Sequence, residues 1–453
     1  MFKTKVNAMS EISKKELIDL LGKLVSYNTV NIPTDNVKAP KDCPEFIVKH
    51  LQEKGIDAKL FEDEGYYSVY GKVGEGKFNL LLMAHFDVVP VSDGWDTDPF
   101  EMVIKDEKTA YGRGVIDNKN NVTSIMTILP EIKKLDLGDK MTVCFELSGD
   151  EEIGGVHSAG NYRKKFERMP DAVMNLDGAG EVIISRRRNA MGSTLRIPKK
   201  KAKAKGVLAE KKFTSDQYGR HTAYQHRGAD VHCMIKASVV SSWEYYKVID
   251  CQGKFIKGNV VPDECTLTVI TPSEDKYAEE HEYDAGLTSL FENLRYLVNT
   301  QFPTEFSTYG ITIGPNMLFN RGDYWELGLD IRAMTQNYEV VEDALRSMCD
   351  ELFGEKHYEL IFKPGQGMVN TAKDSKLIST VLEVSKELGL PSQIVEMGGA
   401  SDARYFSREG IPTFDFGPDG GGVHANNEWL NLESFYKITQ FYLAVVKRML
   451  EKV

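Results

Sequence analysis

The stretch FNLLLMAHFDVV (78–89), followed by NNVTSIMTILPEIKKL (120–135) and KMTVCFELSG (140–149), decides the fold. The first and third segments are short apolar runs rich in strand-forming residues. Between them, the second reads as a helix laid over the sheet. Apolar runs without polar alternation suit strands buried on both faces, which is the parallel arrangement. Strand–helix–strand order therefore predicts an α/β fold, with a mostly parallel sheet sandwiched by helices. In such sheets reactive side chains gather at the carboxyl ends of the strands.

Working outward, residues 14–24 and 45–54 space their apolar positions at three and four, as amphipathic helices do. After Asp177 the texture changes. SRRRNAMG (185–192) leads into IPKKKAKAKG (197–206), then β-like segments, a helix over about 285–299, and the strand YWELGLDIRAM (324–334). This stretch reads as an inserted α+β domain over 185–333, splitting the first domain into 1–184 and 334–453. From 339 to 353 helical periodicity resumes, and EMGGASDARYF (396–406) and IPTFDFGPDGGG (411–422) carry Gly-rich loops. KKKAKAKG has no interleaved aromatics, so it reads as a solvated loop rather than a nucleic-acid patch. Within the insert, GNVVPDECTLTVI (258–270) and GPNMLFNRGDYWELGLDIR (314–332) both suggest an Asn in a turn before a strand, a loose internal echo.

The chain has 453 residues and a formal net charge of −11, which argues against nucleic acid or an anionic membrane as the main partner. With 42% hydrophobic and 27% charged residues it is an ordinary globular chain, and bulk disorder is excluded. The N-terminus MFKTKVNAMSEISKKELIDLL turns polar where a signal peptide needs an apolar region, and no run of about 18 apolar residues occurs. The expectation is a soluble, cytoplasmic protein. The six cysteines are scattered without a C-x-x-C pair, so reduced thiols are expected, with Cys144 as core packing.

The chemistry lies in titratable residues at strand ends. His85 closes the run NLLLMA, and Asp87 lies two residues on, on the same face, where it could orient a ligand imidazole. Alone, such a pair also reads as a surface hydrogen bond. Asp117 in GRGVIDNKN (112–120) sits between a Gly-rich turn and a helix, either as a cation bridge or as a helix cap. ELSGDEEIGG (146–155) ends a strand with Asp150, Glu151 and Glu152, a crowding of charge that calls for cations or solvent. NLDG (175–178) adds Asp177, and FGPDGGGVHANNEWL (416–430) adds His424; singly these read equally as a turn Asp and a solvated His. Together they form a set of imidazoles and carboxylates without thiolates, which suits zinc, or manganese or cobalt. The carboxylate count fits two cations, which polarise a carbonyl and activate water, with a spare carboxylate moving protons.

MAHFDVVP, GRGVIDNK, SGDEEIGG, NLDG, GGASDARYF and HANNEWL, in this order, resemble the dinuclear zinc family of acetylornithine deacetylases, succinyl-diaminopimelate desuccinylases, aminoacylases, glutamate-type carboxypeptidases and dipeptidases. The resemblance runs from the first helix to the C-terminus except in part of the insert. It implies a zinc-exopeptidase fold with the insert as a lid. One metal would take His85 and Asp177 and the other Glu152 and His424, with Asp117 bridging them through a cis peptide to Asn118. Glu151 would be the general base and Asp87 the orienter of His85.

By the same resemblance GRHTAYQH (219–226) supplies a lid histidine, His221, with His226 and His232 close by in sequence. Asn259 of NVVP and Arg332 of LDIR would hold the substrate's carboxylate, with Gly399 and Ser401 also in the substrate site. The strand after Asn259 ends at Pro272 without the family's Arg, so Arg332 from the second copy stands in. This departure resembles the family's monomeric dipeptidases with an enlarged lid.

The reading is a metal-dependent hydrolase with two divalent ions, zinc first, cleaving a dipeptide or short peptide with a free C-terminal carboxylate. A second reading is an N-acyl-amino-acid deacylase, and a third a non-catalytic binding protein on the same scaffold. The partners expected are a small peptide or N-acyl amino acid, with no nucleic acid and no membrane. A monomer is favoured over a homodimer.

Overall fold

The computed structural model describes residues 12–216, 221–225, 232–273, 275 and 277–453. Two compact units emerge: 1–186 with 369–395 and 401–453, and 187–368 with 396–400.

The first unit is built on a nine-stranded sheet. Its order is Ala58–Asp63, Tyr66–Val73, Met141–Ser148, Phe78–His85, Ala172–Asn175, Thr413–Asp415, Ile183–Arg187 and Val369–Asn370, with Ile394–Met397 beside Ile183–Arg187. The central strands, from Met141–Ser148 to Thr413–Asp415, run parallel, whereas Ala58–Asp63 with Tyr66–Val73, Tyr66–Val73 with Met141–Ser148, and Thr413–Asp415 with Ile183–Arg187 pair antiparallel. Phe78–His85 shows why its sequence is apolar throughout. Leu80, Leu82 and Ala84 join a core with Val122, Ile125 and Ile128 of the Lys119–Lys133 helix. Leu81 and Met83 face the other way, onto Tyr162, Tyr405 and Phe406. Burying each such leucine contributes about 1.5–3 kcal/mol. Helical segments thus cover both faces, as the α/β reading requires. The resulting parallel register sets His85 opposite Ser148 and Met83 opposite Asn175, so three strands end at one edge.

The second unit carries two four-stranded sheets, Lys247–Gly253, Glu264–Pro272, Lys201–Thr214, Glu280–Asp284 and Thr312–Asn320, Tyr324–Ala333, Asn189–Pro198, Glu359–Lys363, with antiparallel pairing throughout. Helices Cys233–Trp243, Ala285–Leu297 and Glu339–Phe353 share its core, in which Leu290, Phe291 and Leu294 meet Leu267, Val269, Leu327 and Val341.

Three expectations differ from this structure. The inserted unit extends past 333 to 368, because Glu359–Lys363 pairs with Asn189–Pro198 and Leu345 and Cys349 belong to the insert's core. KKKAKAKG is not a loop but opens the Lys201–Thr214 strand, where Lys201 meets Glu282 at 2.8 Å and Lys203 meets Glu280 at 3.2 Å. Cross-strand ion pairs of this kind let a Lys-rich stretch hold an extended ladder. Asn316 lies within the strand Thr312–Asn320 rather than in a turn before one, whereas Asn259 does occupy a turn. All six cysteines are buried and free. No helix among the described residues is long and apolar enough to cross a membrane.

Candidate metal centre

Five segments of the first unit deliver the titratable side chains to one edge of the sheet. His85 is the last residue of its strand. Asp177 follows Ala172–Asn175, and the Leu176 N–H bonds the Met83 carbonyl at 2.7 Å, keeping it beside His85. Glu151 and Glu152 form a single 3-10 turn just past Met141–Ser148, and Gly154 leaves that turn at φ 117°, a value that favours glycine. Asp117 precedes a cis peptide to Asn118, as the resemblance implies. It does not cap the following helix, whose N-cap residue is Asn118. His424 stands at φ 62° in the loop before Trp429–Asn431.

The distances divide these residues into two groups that share one member. His85 Nε2 lies 3.0 Å from Asp117 Oδ1 and 3.8 Å from Asp177 Oδ1. His424 Nε2 lies 3.1 Å from Asp117 Oδ2 and 3.0 Å from Glu152 Oε2. The donor atoms of His85, Asp117 and Asp177 all fall within 4.8 Å of one another, as do those of Asp117, Glu152 and His424. Asp117 therefore turns one oxygen to each group. The His85 side chain is 2% exposed and that of His424 36%, so the cluster opens toward solvent on the His424 side.

Electrostatics tell the same story. Burial alone would lower His85, yet its bonds to Asp117, Asp177 and Asp87 hold its pKa well above the imidazole range. His424 is likewise pushed up to about 10, with Asp117 and Glu152 overcoming its burial. Burial would raise Asp117, but the bonds from His424 and His85 hold it well below the carboxylate range. Glu151 and Glu152 are both raised, by burial first and then by the charges of Asp177 and Asp117 respectively. Three carboxylates and two imidazoles crowded together demand positive charge, and protons on the histidines supply it only in part. Divalent cations fit this all-N,O donor set.

Asp87 is fully buried and has a second task beside His85. The His85 Nδ1 is 3.1 Å from the Asp87 main-chain oxygen and 3.5 Å from its carboxylate. That carboxylate also accepts the N–H groups of Glu151 and Glu152, at 3.1 and 3.0 Å. Asp87 thus adjoins the imidazole through main chain and side chain, and its side chain anchors the glutamate turn as well. Asn118, not singled out from the sequence, links the segments as well: its amide donates to Leu176 O at 2.9 Å and accepts from His85 N at 3.4 Å.

Residues 81–448 match the model of peptidase family M20/M25/M40. The chain belongs to that family. Among its relatives, succinyl-diaminopimelate desuccinylase of Nautilia profundicola is 23% identical over 445 residues, covering 95% of this chain and 99% of the relative. Among solved structures, aminoacylhistidine dipeptidase of Vibrio alginolyticus superposes with a TM-score of 0.70 at 15% identity, over 99% of this chain and 98% of that one. A Bacillus subtilis protein described as a dinuclear metal-binding peptidase of the M20 family superposes at 0.55 with 13% identity, over 97% and 99% of the two chains. As a member of this peptidase family, the chain is an enzyme of the hydrolase class with a mixed α/β fold.

The remaining residues singled out in the sequence of this M20 chain lie mostly in the second unit. His221 Nδ1 accepts the Ala223 N–H at 2.9 Å, and its Nε2 lies 3.0 Å from the Asn259 amide. Nε2 faces the Asn259 Nδ2, yet a neutral imidazole with Nδ1 as acceptor carries its proton on Nε2, which requires the Asn259 amide turned over so that its oxygen accepts that proton. That orientation also satisfies the buried Asn259 Oδ1. Arg332 is 7% exposed and gives its Nε and Nη2 to Asp330 at 3.0–3.1 Å. Gly399 O accepts from Arg187 Nη1 at 3.2 Å. His232 is buried against Asn316 at 3.2 Å, and His226 lies outside the described residues. Ser401, in the first unit, does not suit its expected substrate role. Its hydroxyl donates to Asp415 at 2.8 Å and the residue is fully buried, so its donor is committed to the fold.

Proposed function

We propose that this chain is a two-metal amidohydrolase that cleaves a dipeptide or short peptide bearing a free C-terminal carboxylate. The observation that carries the reading is Asp117, whose two oxygens serve two separate ligand groups with Glu151 on the turn beside them. His85, Asp117 and Asp177 would hold one divalent ion, and Asp117, Glu152 and His424 the other. Zinc fits first, with manganese or cobalt suited to the same donors. When bound, such ions act as Lewis acids toward the scissile carbonyl and make water acidic near neutral pH.

The chain's own residues do the rest. Glu151 is half-buried and its carboxyl is raised well above the usual range, so it can accept a proton from the attacking water and hand it to the leaving nitrogen. Asp87 keeps that turn in place through its two backbone contacts. From the inserted unit, His221 would offer its Nε2–H to the substrate's carbonyl oxygen by exchanging Asn259 for substrate. Arg332 would meet the terminal carboxylate through its planar guanidinium, and Asn259 and Gly399 would line the same site. A monomer in the cytoplasm, where buried thiols stay reduced, completes the proposal.

Deacylation of an N-acyl amino acid is the second reading, favoured by the likeness to the desuccinylase across nearly its whole length. Zinc-reconstituted protein assayed against dipeptides and N-acyl amino acids separates the two. Dipeptide turnover is expected to exceed N-succinyl or N-acetyl turnover; the reverse ranking would replace the first reading by the second, and activity on neither would reject both.

A further inference from the structure

Four residues beyond His424, Glu428 is shut from solvent, and both of its oxygens are spent on a single segment. Oε2 accepts from Arg113 Nη1 at 2.8 Å and from Gly114 N at 3.0 Å. Oε1 accepts from Ile116 N at 2.9 Å and from Asp117 N at 3.1 Å. Its main-chain oxygen takes the Gly112 N–H at 3.1 Å. A ladder lies directly behind these contacts, with Trp429 paired to Tyr111 and Asn431 to Thr109. The loops carrying His424 and Asp117 thus leave adjacent ends of one ladder, and Glu428 ties them together where they diverge.

The segment it holds has little room to move. Gly114 stands at φ +86°, and a Cβ there would meet Val88 Cγ1 at 2.9 Å. Arg113 is buried and its guanidinium lies 5.1 Å over the Trp95 ring. A buried carboxylate is costly unless its lone pairs are met, and here a cation and three backbone donors meet them. Those donors end at the N–H of Asp117, whose carboxylate is common to both ligand groups.

We infer that Glu428 is a positioning residue that sets the bridging carboxylate and thereby makes the two cation sites depend on one another. The inference rests on the two-metal reading above. Asn426, two residues earlier, makes a useful contrast: it joins the same loop to Ser92 Oγ and the Asp93 carbonyl at 2.7 and 2.6 Å, and among the described residues its side-chain hydrogen bonds do not reach the Asp117 segment.

The test is zinc titration of the metal-free protein by calorimetry and chelator competition, with the visible spectrum of the cobalt-loaded protein as a second readout. Glu428→Gln places an amide NH2 against backbone donors and is expected to weaken both metal equivalents by roughly 10–100-fold and to change the cobalt spectrum. Asn426→Ala is expected to weaken only the His424-side equivalent. If Glu428→Gln does not fold, Glu428→Asp, whose shorter arm cannot reach all four donors, is expected to weaken both equivalents in the same sense. Retention of both affinities within twofold by the folded variant would overturn the inference, as would an Asn426→Ala protein that loses both equivalents equally. Wild-type protein that binds two zinc ions yet cleaves no amide would sink the proposed function alone, and wild-type protein that binds fewer than two would sink both.

Discussion

Replacing Glu151 by Gln separates proton transfer from everything else the site does. Among the described residues its carboxylate makes no side-chain hydrogen bond; only its main chain is engaged, the N–H by Asp87 and the carbonyl by the Gly154 N–H. The substitution therefore breaks no contact of the fold. Because burial holds the carboxyl well above its usual range, a neutral amide of the same shape is at least as comfortable there. Glu151 belongs to neither ligand group, so both keep their donors. What is lost is the transferable proton, and a positioned acid or base is worth about 10²–10⁴ in rate, or roughly 2.7–5.4 kcal/mol of barrier. The variant should bind two zinc equivalents, melt no lower than the parent, and turn over at least about a hundredfold more slowly. Stopped-time hydrolysis of the best dipeptide, paired with elemental analysis of the same sample, measures both quantities. Near-normal turnover at full metal occupancy would refute the assignment of Glu151.

Lys165→Met should strand the fully buried Glu146, since Lys165 is its ionic partner and also bonds Ser158 O at 2.7 Å; about 3–5 kcal/mol of stability should be lost, read as an earlier urea midpoint. An unchanged midpoint would refute this. Asp402 is pushed up to about 7, by burial first with Arg404 opposing; its oxygens have no hydrogen-bond partner among the described residues, and Arg404 Nη2 lies 3.5 Å from Oδ1. A carboxyl raised above its unfolded value of about 3.9 contributes stability that is present below that pH and lost as pH rises through about 7. Metal-free Asp402→Asn should therefore melt with the parent near pH 4 and above it at pH 8, and a parent that melts higher at pH 8 would contradict this. His221→Ala should keep both metals and lose turnover, and mixing it with Glu151→Gln should restore nothing if each chain is complete; recovered activity would require a dimer that lends His221 across an interface.

What the sequence disclosed, and what it withheld, follows from where each residue finds its partner. Phe78–His85 was legible because burial on both faces leaves only apolar letters, and His85, Asp117, Glu151, Glu152, Asp177 and His424 stood out as charge placed where such strands end. Lys201–Thr214 was not, because the glutamates that turn its lysines into a ladder lie about 80 residues downstream, at Glu280 and Glu282. The end of the insert was misplaced because the periodicity of Glu339–Phe353 shows an apolar face without showing which core receives it.

Glu428 and Asp87 mark a deeper limit. Each is a fully buried carboxylate with backbone N–H groups among its partners, and every residue but proline offers an N–H. No pattern of side chains can announce such a bond, so Asp87 read as an imidazole's carboxylate and Glu428 went unread. Yet backbone donors suit this task. A side-chain partner could rotate away, whereas the N–H groups of Ile116, Asp117, Glu151 and Glu152 move only if the ligand loops move. The carboxylates outside the two candidate ligand groups thus fix where those inside them are placed. By this reasoning a ligand site is set as firmly by its backbone hydrogen bonds as by its ligands, and the two loops clamped by Asp87 and Glu428 are the ones that carry Glu152 and Asp117.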